Sequence, residues 1–369
     1  MKPVLFVTGH LPAYRAGALA RLHQREQIEL ALFGGRFKHG GSAFAGELAF
    51  ERLHVRPLAL EALVRSGRHR AVVCPTGGRA APLSTWAGAR RAGLPMILWA
   101  SLWAHPRSLA HAFSYLPLRR LYRSADAVVT YGPHVSAYVR ARGARNVHEA
   151  PQSVDNDFWR SGPVAAPSHP AWPVGAEAKF LFVGRASPEK GLRVLLEAWR
   201  IAGLRPPRAA LVLVGEETGR PAGVARTATP ELEDPVRRLG AVDPVELRNV
   251  YAASDVLVVP SIPTRTFREP WGLVTNEAMN RGLPVIATDA VGAAAGGLVQ
   301  DGRNGRIVPA GDPLALARAI AQLAGDSRLR ATMGSAAATD VLAYSHQAWA
   351  EGFSRALATL GLSAAVDSV

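Results

Sequence analysis

The chain has 369 residues, 48% apolar and 20% charged, enough to bury two ordinary cores and too apolar for a disordered polypeptide. Its formal net charge is +14, and the whole excess lies in residues 1–150, which hold 21 basic and 7 acidic side chains; the other 219 residues carry 22 of each. A single cysteine, Cys74, excludes an internal disulfide and a cysteine-based zinc site, as in a reducing cytoplasm, and no apolar run reaches the ~18–20 residues of a membrane span.

The first apolar run, Pro3–Thr8, is too short for the core of a signal peptide and reads as a buried strand. Ile28–Phe33, Ala71–Cys74, Pro95–Ala100 and Ala127–Thr130 are four more such runs. They are continuously apolar rather than alternating, as a parallel sheet covered on both faces requires. Helix-like segments at Leu58–Arg65, Thr85–Ala92 and Val135–Arg142 lie between them, and the alternation predicts a doubly wound α/β domain. Within Phe113–Arg123, Pro117 is expected to start a short helix. That segment joins Phe113, Tyr115, Leu116, Leu118, Leu121 and Tyr122 to Arg119, Arg120 and Arg123, a pattern suited to an anionic bilayer.

Ser161–Ala178 carries Pro163, Pro167, Pro170 and Pro173 without an apolar period and reads as a linker. The rhythm then restarts, with strands expected at Lys179–Val183, Ala210–Val214, Val256–Val259, Pro284–Ala287 and Arg306–Val308. Helices are expected at Leu192–Ile201, Pro244–Ala252, Val274–Arg281, Pro313–Leu323 and Gln347–Leu360. The expected organisation is a first α/β domain over 1–160, a linker over 161–178, a second α/β domain over 179–345 and a C-terminal helix and tail over 346–369. Two doubly wound, Rossmann-like domains facing across a cleft would offer their strand C-termini to a ligand.

Two segments carry chemistry. In Phe182–Gly191 (FVGRASPEKG) a strand ends at Gly184, and Arg185 and Lys190 flank the loop that follows. Two fixed cations there can neutralise a diphosphate and the charge that develops as its bond breaks. In Arg268–Pro284 (REPWGLVTNEAMNRGLP), Glu269 precedes a helix start and Glu277 lies about one turn inside it. The amides of Trp271, Gly272 and Leu273 between them suit a phosphate, and the two carboxylates can accept hydrogen bonds from sugar and ribose hydroxyls.

These residues resemble the retaining nucleotide-sugar glycosyltransferases of family 4, which have the GT-B fold. The GRASPEKG loop, EPWGLVTNEAMNRGLPVIATD, DGRNGRIVPAGDPLALARAI and PQSVDNDFW carry the resemblance over about 180 residues. By it, Arg185 and Lys190 hold the donor diphosphate, Glu269 contacts the donor sugar and Glu277 binds the ribose hydroxyls. Gly272, Leu273 and Val274 match the backbone segment at the phosphates, and Arg237–Val242, which contains Arg238 and Leu239, matches the region meeting the base. Gly17, expected in a loop after the first strand, stands where the family has a phosphate-binding glycine loop. His105, after Pro95–Ala100, and His10 stand where the family places an active-site histidine. Gly296 and Gly297 replace a neighbourhood in which many members carry an acidic residue.

The resemblance implies transfer of a sugar from a nucleotide diphosphate sugar to a glycan or lipid-linked acceptor hydroxyl, with retention and with neither metal nor cofactor. The expected place of work is the cytoplasm, peripheral at the inner face of the cell membrane and on an anionic membrane surface, in bacterial glycan, glycolipid or polysaccharide synthesis. Asp155-Asn156-Asp157 has the spacing of a metal-holding Asp-x-Asp, but it precedes the linker, where Asp and Asn usually make turns. The alternatives are a GT-B sugar-nucleotide epimerase and, in a different class, a basic nucleic-acid-binding protein. The latter lacks a recognition helix or a zinc finger, so no specific nucleic acid is expected.

Overall fold

The protein is described from a computed structural model over residues 1–34, 46, 48–78, 80–162, 165–215 and 235–364. It divides into two units, Met1–Asp155 with Tyr344–Val369, and Asn156–Ala343.

The first unit holds a seven-stranded sheet among the described residues: β1 (Val4–Thr8), β2 (Ile28–Leu32), β3 (Arg52–His54), β4 (Ala71–Pro75), β5 (Met96–Ala100), β6 (Ala127–Thr130) and β7 (Val147–Glu149). Every pairing is parallel and the order is β3-β2-β1-β4-β5-β6-β7, so the winding reverses between β1 and β4. Helices α1 (Ala13–Glu26), α2 (Leu60–Val64), α3 (Ala80–Ala92), α4 (Leu109–Ser124) and α5 (Pro133–Arg140) accompany it. One face packs Leu19 and Leu22 of α1 against Phe6 and Leu30. The other packs Leu60, Ala89, Leu121 and Val139 against Leu5, Val72 and Leu98.

The second unit repeats the plan with β8 (Lys179–Val183), β9 (Ala210–Val214), β10 (Val236–Gly240), β11 (Val256–Val259), β12 (Val285–Thr288) and β13 (Gly305–Val308). Its order is β10-β9-β8-β11-β12-β13, again all parallel, with the reversal between β8 and β11. The helices are α6 (Asn156–Arg160), α7 (Leu192–Ala202), α8 (Pro244–Ala252), α9 (Val274–Asn280), α10 (Gly292–Ala295), α11 (Pro313–Gly325) and α12 (Ser327–Asp340). The chain ends with α13 (His346–Ala358). No helix among the described residues is long and apolar enough to cross a membrane.

The boundary between units falls after Asp155, ahead of the expected linker, because α6 is tied to the second unit. Trp159 is buried edge-on against Tyr251, Asn280 donates to Asn156 Oδ1 at 2.9 Å, and the Arg248 guanidinium lies over the Phe158 ring. The proline-bearing stretch belongs to that same unit: Ser168 N donates to Glu246 Oε1 at 2.8 Å and Lys179 Nζ to the Ala176 carbonyl. Pro163 lies outside the described residues. The last helix does not follow the second unit but packs into the first, where Trp349 and Phe353 are fully buried against Phe6 and Trp99.

Two helices correct the reading of the first half. Gly17 lies not in a loop but inside α1, whose residues Ala18, Leu19 and Leu22 are buried. A Cβ on Gly17 would sit 2.5 Å from Nδ1 of His346, so the glycine makes room for an imidazole rather than for a phosphate. Pro117 does not start a helix but stands inside α4, eight residues after its first. The carbonyl its ring leaves without a partner is that of Phe113, an exposed residue that water can serve.

Candidate active site

The C-terminal ends of β8 and β11 are neighbours at the winding reversal of the second sheet, the place where open α/β sheets bind ligands. Two glycines let the loops there approach closely. Gly191 has φ +69°, and a Cβ on it would fall 1.9 Å from the Pro260 carbonyl oxygen. Gly215, with φ +139°, is equally pressed against the Gly184 carbonyl. The Ile262 amide donates to the Glu189 carbonyl at 2.9 Å and completes the join between the two loops.

This join brings together side chains 79 residues apart. Lys190 Nζ donates to Glu269 Oε2 at 2.6 Å, and the Ser261 hydroxyl reaches the same oxygen at 3.3 Å. Glu269 is buried, while Lys190 keeps a quarter of its side chain exposed. Arg185 faces Glu189 at 3.6 Å, with its side chain over a third exposed. Burial works to raise Glu189, but the Ser187 hydroxyl at 2.7 Å, its own backbone amide, and the Arg185 and Lys190 charges outweigh it and hold the carboxyl below its usual range. The loop thus keeps two cations and a counter-carboxylate beside one another at a strand end.

The second carboxylate is held differently. Glu277, in the first turn of α9, accepts a hydrogen bond from Tyr251 Oη of α8 at 2.8 Å. Enclosure pushes its pKa up to about 7 against the opposing pull of that bond. The Tyr251 hydroxyl is driven well above its ordinary value by burial and then by the Glu277 charge.

Between the two glutamates, the backbone is clamped onto the segment before α10. The Gly292 amide donates to the Glu269 carbonyl at 3.1 Å and the Ala293 amide to the Trp271 carbonyl at 2.8 Å. Gly292 permits this, since a Cβ there would meet the Pro270 carbonyl oxygen at 1.9 Å. Trp271 is buried, its Nε1 donating to Asn276 Oδ1 at 2.7 Å. Gly272 takes φ +89°, and Leu273 leads into α9 at Val274 with no side-chain cap. Arg238 and Leu239 lie on edge strand β10, where the register with β9 shifts between Arg238 and Gly240. They stand at the same sheet edge as Gly215, whose amide donates to the Gly240 carbonyl at 2.7 Å.

In the first unit, His105 follows β5. Its Nε2 donates to the His111 carbonyl at 2.8 Å, which leaves Nδ1 to accept from Tyr138 Oη at 3.4 Å, and its ring stands edge-on to Tyr115. It lines a cavity of about 510 Å³ with Trp103, Arg107, Ser108, Tyr138 and Arg142. His10 follows β1, where burial lowers its pKa. Asp155 ends the first segment of the first unit and Asp157 lies in the first turn of α6.

Sequence reasoning missed Ser261, Tyr251 and Ser187. Ser261 was the most findable, as the second residue past the apolar run of β11. Tyr251 gave no signal, because it reads as one more apolar position of α8.

Residues 177–326 match the model of the family described as glycosyl transferases group 1. A D-inositol 3-phosphate glycosyltransferase of Segniliparus rotundus is 31% identical over 287 residues, 72% of this chain and 61% of that protein. One of Streptomyces avermitilis is 37% identical over 170 residues, 43% of this chain and 34% of that protein. The chain thus spans between about a third and three fifths of these curated relatives. Among solved structures, HepE of Anabaena in complex with UDP superposes with a TM-score of 0.71 at 19% identity, covering 97% of this chain and all of that one. Sucrose-phosphate synthase of Thermosynechococcus elongatus does so with 0.72 at 20% identity over 98% and 99%. The chain therefore has the GT-B fold, and over residues 177–326 it carries a domain that matches the group 1 glycosyl transferases.

Proposed function

We propose that the protein transfers a sugar from a nucleotide diphosphate sugar to an acceptor hydroxyl with retention of anomeric configuration and without a metal. The observation that carries this reading is the Lys190–Glu269 pair at the winding reversal of the second sheet, with Arg185 and Glu277 on flanking elements. Lys190 and Arg185 receive the donor diphosphate and stabilise it as the sugar leaves, when its charge is greatest. Glu269, oriented by Lys190 and Ser261, accepts from the donor sugar hydroxyls. Glu277 accepts from the ribose diol, Arg238 and Leu239 offer backbone to the base, and the segment Gly272–Val274 meets the phosphates. The leaving phosphate takes the acceptor proton, so no separate base is assigned, and His105 lies on the acceptor side.

The named ligand of HepE supports a UDP-sugar, with a GDP-sugar as the second donor to test. The acceptor is a glycan or lipid-linked saccharide met at the cytoplasmic side of an anionic membrane, in bacterial glycan, glycolipid or polysaccharide synthesis. A panel of nucleotide sugars, scored by thermal shift and by release of nucleoside diphosphate in excess chelator, tests the reading. One member should raise the melting temperature and be cleaved. If none binds, the reading fails.

A further inference from the structure

No aspartate or glutamate occurs from residue 62 to residue 125, a stretch with ten arginines. The fold gathers four of them along one groove. Leu83, Trp86 and Arg90 form a row on α3 at helical spacing, and Leu116, Arg119, Arg120 and Arg123 form the facing row on α4. The groove holds about 660 Å³, and Trp86 lines it, its Nε1 donating to Ser124 Oγ at 2.9 Å to tie the two helices together. The guanidinium groups of Arg120 and Arg90 lie over the Trp86 ring, 5.5 and 6.0 Å from its centre.

Two features separate this surface from an ordinary solvated helix face. First, none of the four arginines has an ion-pair partner among the described residues, whereas Arg91, the next residue on α3, is paired to Glu61. Elsewhere in the same unit Arg25, Arg65, Arg68 and Arg70 face carboxylates while several other arginines do not, and what sets Arg90, Arg119, Arg120 and Arg123 apart is that they line one groove together. Second, large apolar side chains stand exposed among these cations: Leu83 by 44%, Leu116 by 68% and, one turn before it on α4, Phe113 by 83%. Free anions would satisfy the arginines and leave the leucines and Phe113 in water. A purely apolar partner would bury the leucines at the cost of desolvating four charges. An anionic amphiphile satisfies both, its phosphates on the arginines and its chains against the apolar side chains, with tryptophan at the level where its amphipathic ring is favoured.

We infer that the α3–α4 groove is the surface by which the first unit docks on an anionic phospholipid bilayer, seating lipid phosphates between Arg90, Arg119, Arg120 and Arg123 while Leu83, Phe113 and Leu116 enter the acyl boundary. The inference deepens the proposed function, in which the acceptor is met at a membrane, and rests on that reading only for its purpose. Vesicle binding is scored without donor and donor cleavage without vesicles, so the failure of one is distinguishable from the failure of the other.

The test is co-sedimentation of the full chain with vesicles of phosphatidylglycerol and phosphatidylcholine, and with phosphatidylcholine alone. Three variants accompany the wild type: a triple Arg119→Glu, Arg120→Glu, Arg123→Glu; a single Leu116→Asp; and a control, Arg318→Glu with Arg328→Glu, which changes exposed arginines of the second unit. Thermal melting and nucleotide binding confirm that each is folded. Wild type and control should pellet with the anionic vesicles only. The triple variant should bind them roughly 100-fold more weakly, since each basic residue at such a surface contributes a factor of about five. Leu116→Asp, which keeps every arginine and lowers the net charge by only one, should also bind more weakly. The inference is overturned if wild type ignores anionic vesicles, if the control loses as much as the triple variant, if Leu116→Asp binds as wild type does, or if the groove instead takes nucleic acid tightly at physiological salt.

Discussion

If Glu277 binds the donor ribose as proposed, donor affinity should depend on pH, and Tyr251 should set where. A ribose diol donates two hydrogen bonds, so the carboxylate must be ionised to accept both. With a pKa near 7, the ionised fraction is about 0.9 at pH 8 and about 0.1 at pH 6. If only that fraction binds, the apparent dissociation constant rises about tenfold between those values. Tyr251→Phe removes a hydrogen bond to a charged acceptor, of order 1.5–3 kcal/mol. At about 1.4 kcal/mol per unit, the midpoint should climb about 1–2 pH units. The variant should then bind the donor nucleotide at least several-fold more weakly near pH 7 and converge on wild type at high pH. Isothermal titration of the nucleoside diphosphate across that range reads both curves. A flat wild-type curve, or a loss in Tyr251→Phe that is equal at every pH, would refute the assignment.

The same shift has a cost to stability, with a definite sign. The carboxyl has an ordinary pKa of 4.5 and one of about 7 in the fold, so the stability it contributes is present below about 4.5 and is lost as pH rises through about 7. Glu277→Gln should therefore melt above wild type in donor-free buffer at pH 8, yet bind donor less well, which separate melts and titrations can show. Arg185→Ala and Lys190→Ala should lower turnover much more than donor affinity, because leaving-group charge peaks in the transition state; near-normal turnover in both would displace the diphosphate from this loop. Transfer should survive excess chelator, and a loss restored by magnesium or manganese would return Asp155 and Asp157 to consideration. Gly17→Ala should destabilise the protein by about 1–3 kcal/mol through its clash with His346, read by denaturant unfolding, and a neutral effect would show that the imidazole moves freely aside.

What the sequence disclosed followed from how strongly each element's residues depend on burial. ALVLV and VLVV are covered on both faces and could be little other than central parallel strands. The edge strands β3 and β7 are three residues long and exposed or half-exposed, and β10 spells VRRLG, so none presents an apolar run. Helix α1 begins after Pro12 with no capping side chain and carries a glycine that only His346, over 300 residues away, explains. In α4 the proline masked a helix whose packing comes from Leu121 and Tyr122. Helix α12 buries Met333, Gly334 and Ala337, small contacts without a clear stripe.

The candidate site was legible where a local motif carried it. Arg185 and Lys190 bracket one loop, and Glu269 and Glu277 bracket one helix start. Their partners came from topology. Parallel order sets β11 beside β8 and so delivers Lys190 to Glu269 and its neighbour Ser261, and the packing of α8 on α9 delivers Tyr251 to Glu277. No spacing along the chain encodes either contact.

In the proposed function, the second unit positions and cleaves a nucleotide diphosphate sugar at the Lys190–Glu269 pair. The most direct measurement is release of nucleoside diphosphate from UDP- and GDP-sugars by the full chain in excess chelator, with wild type and Lys190→Ala run together. Wild type should cleave one of these donors, and Lys190→Ala should still bind it while cleaving it far more slowly. Cleavage of none, or equal cleavage by both proteins, would contradict the proposed function.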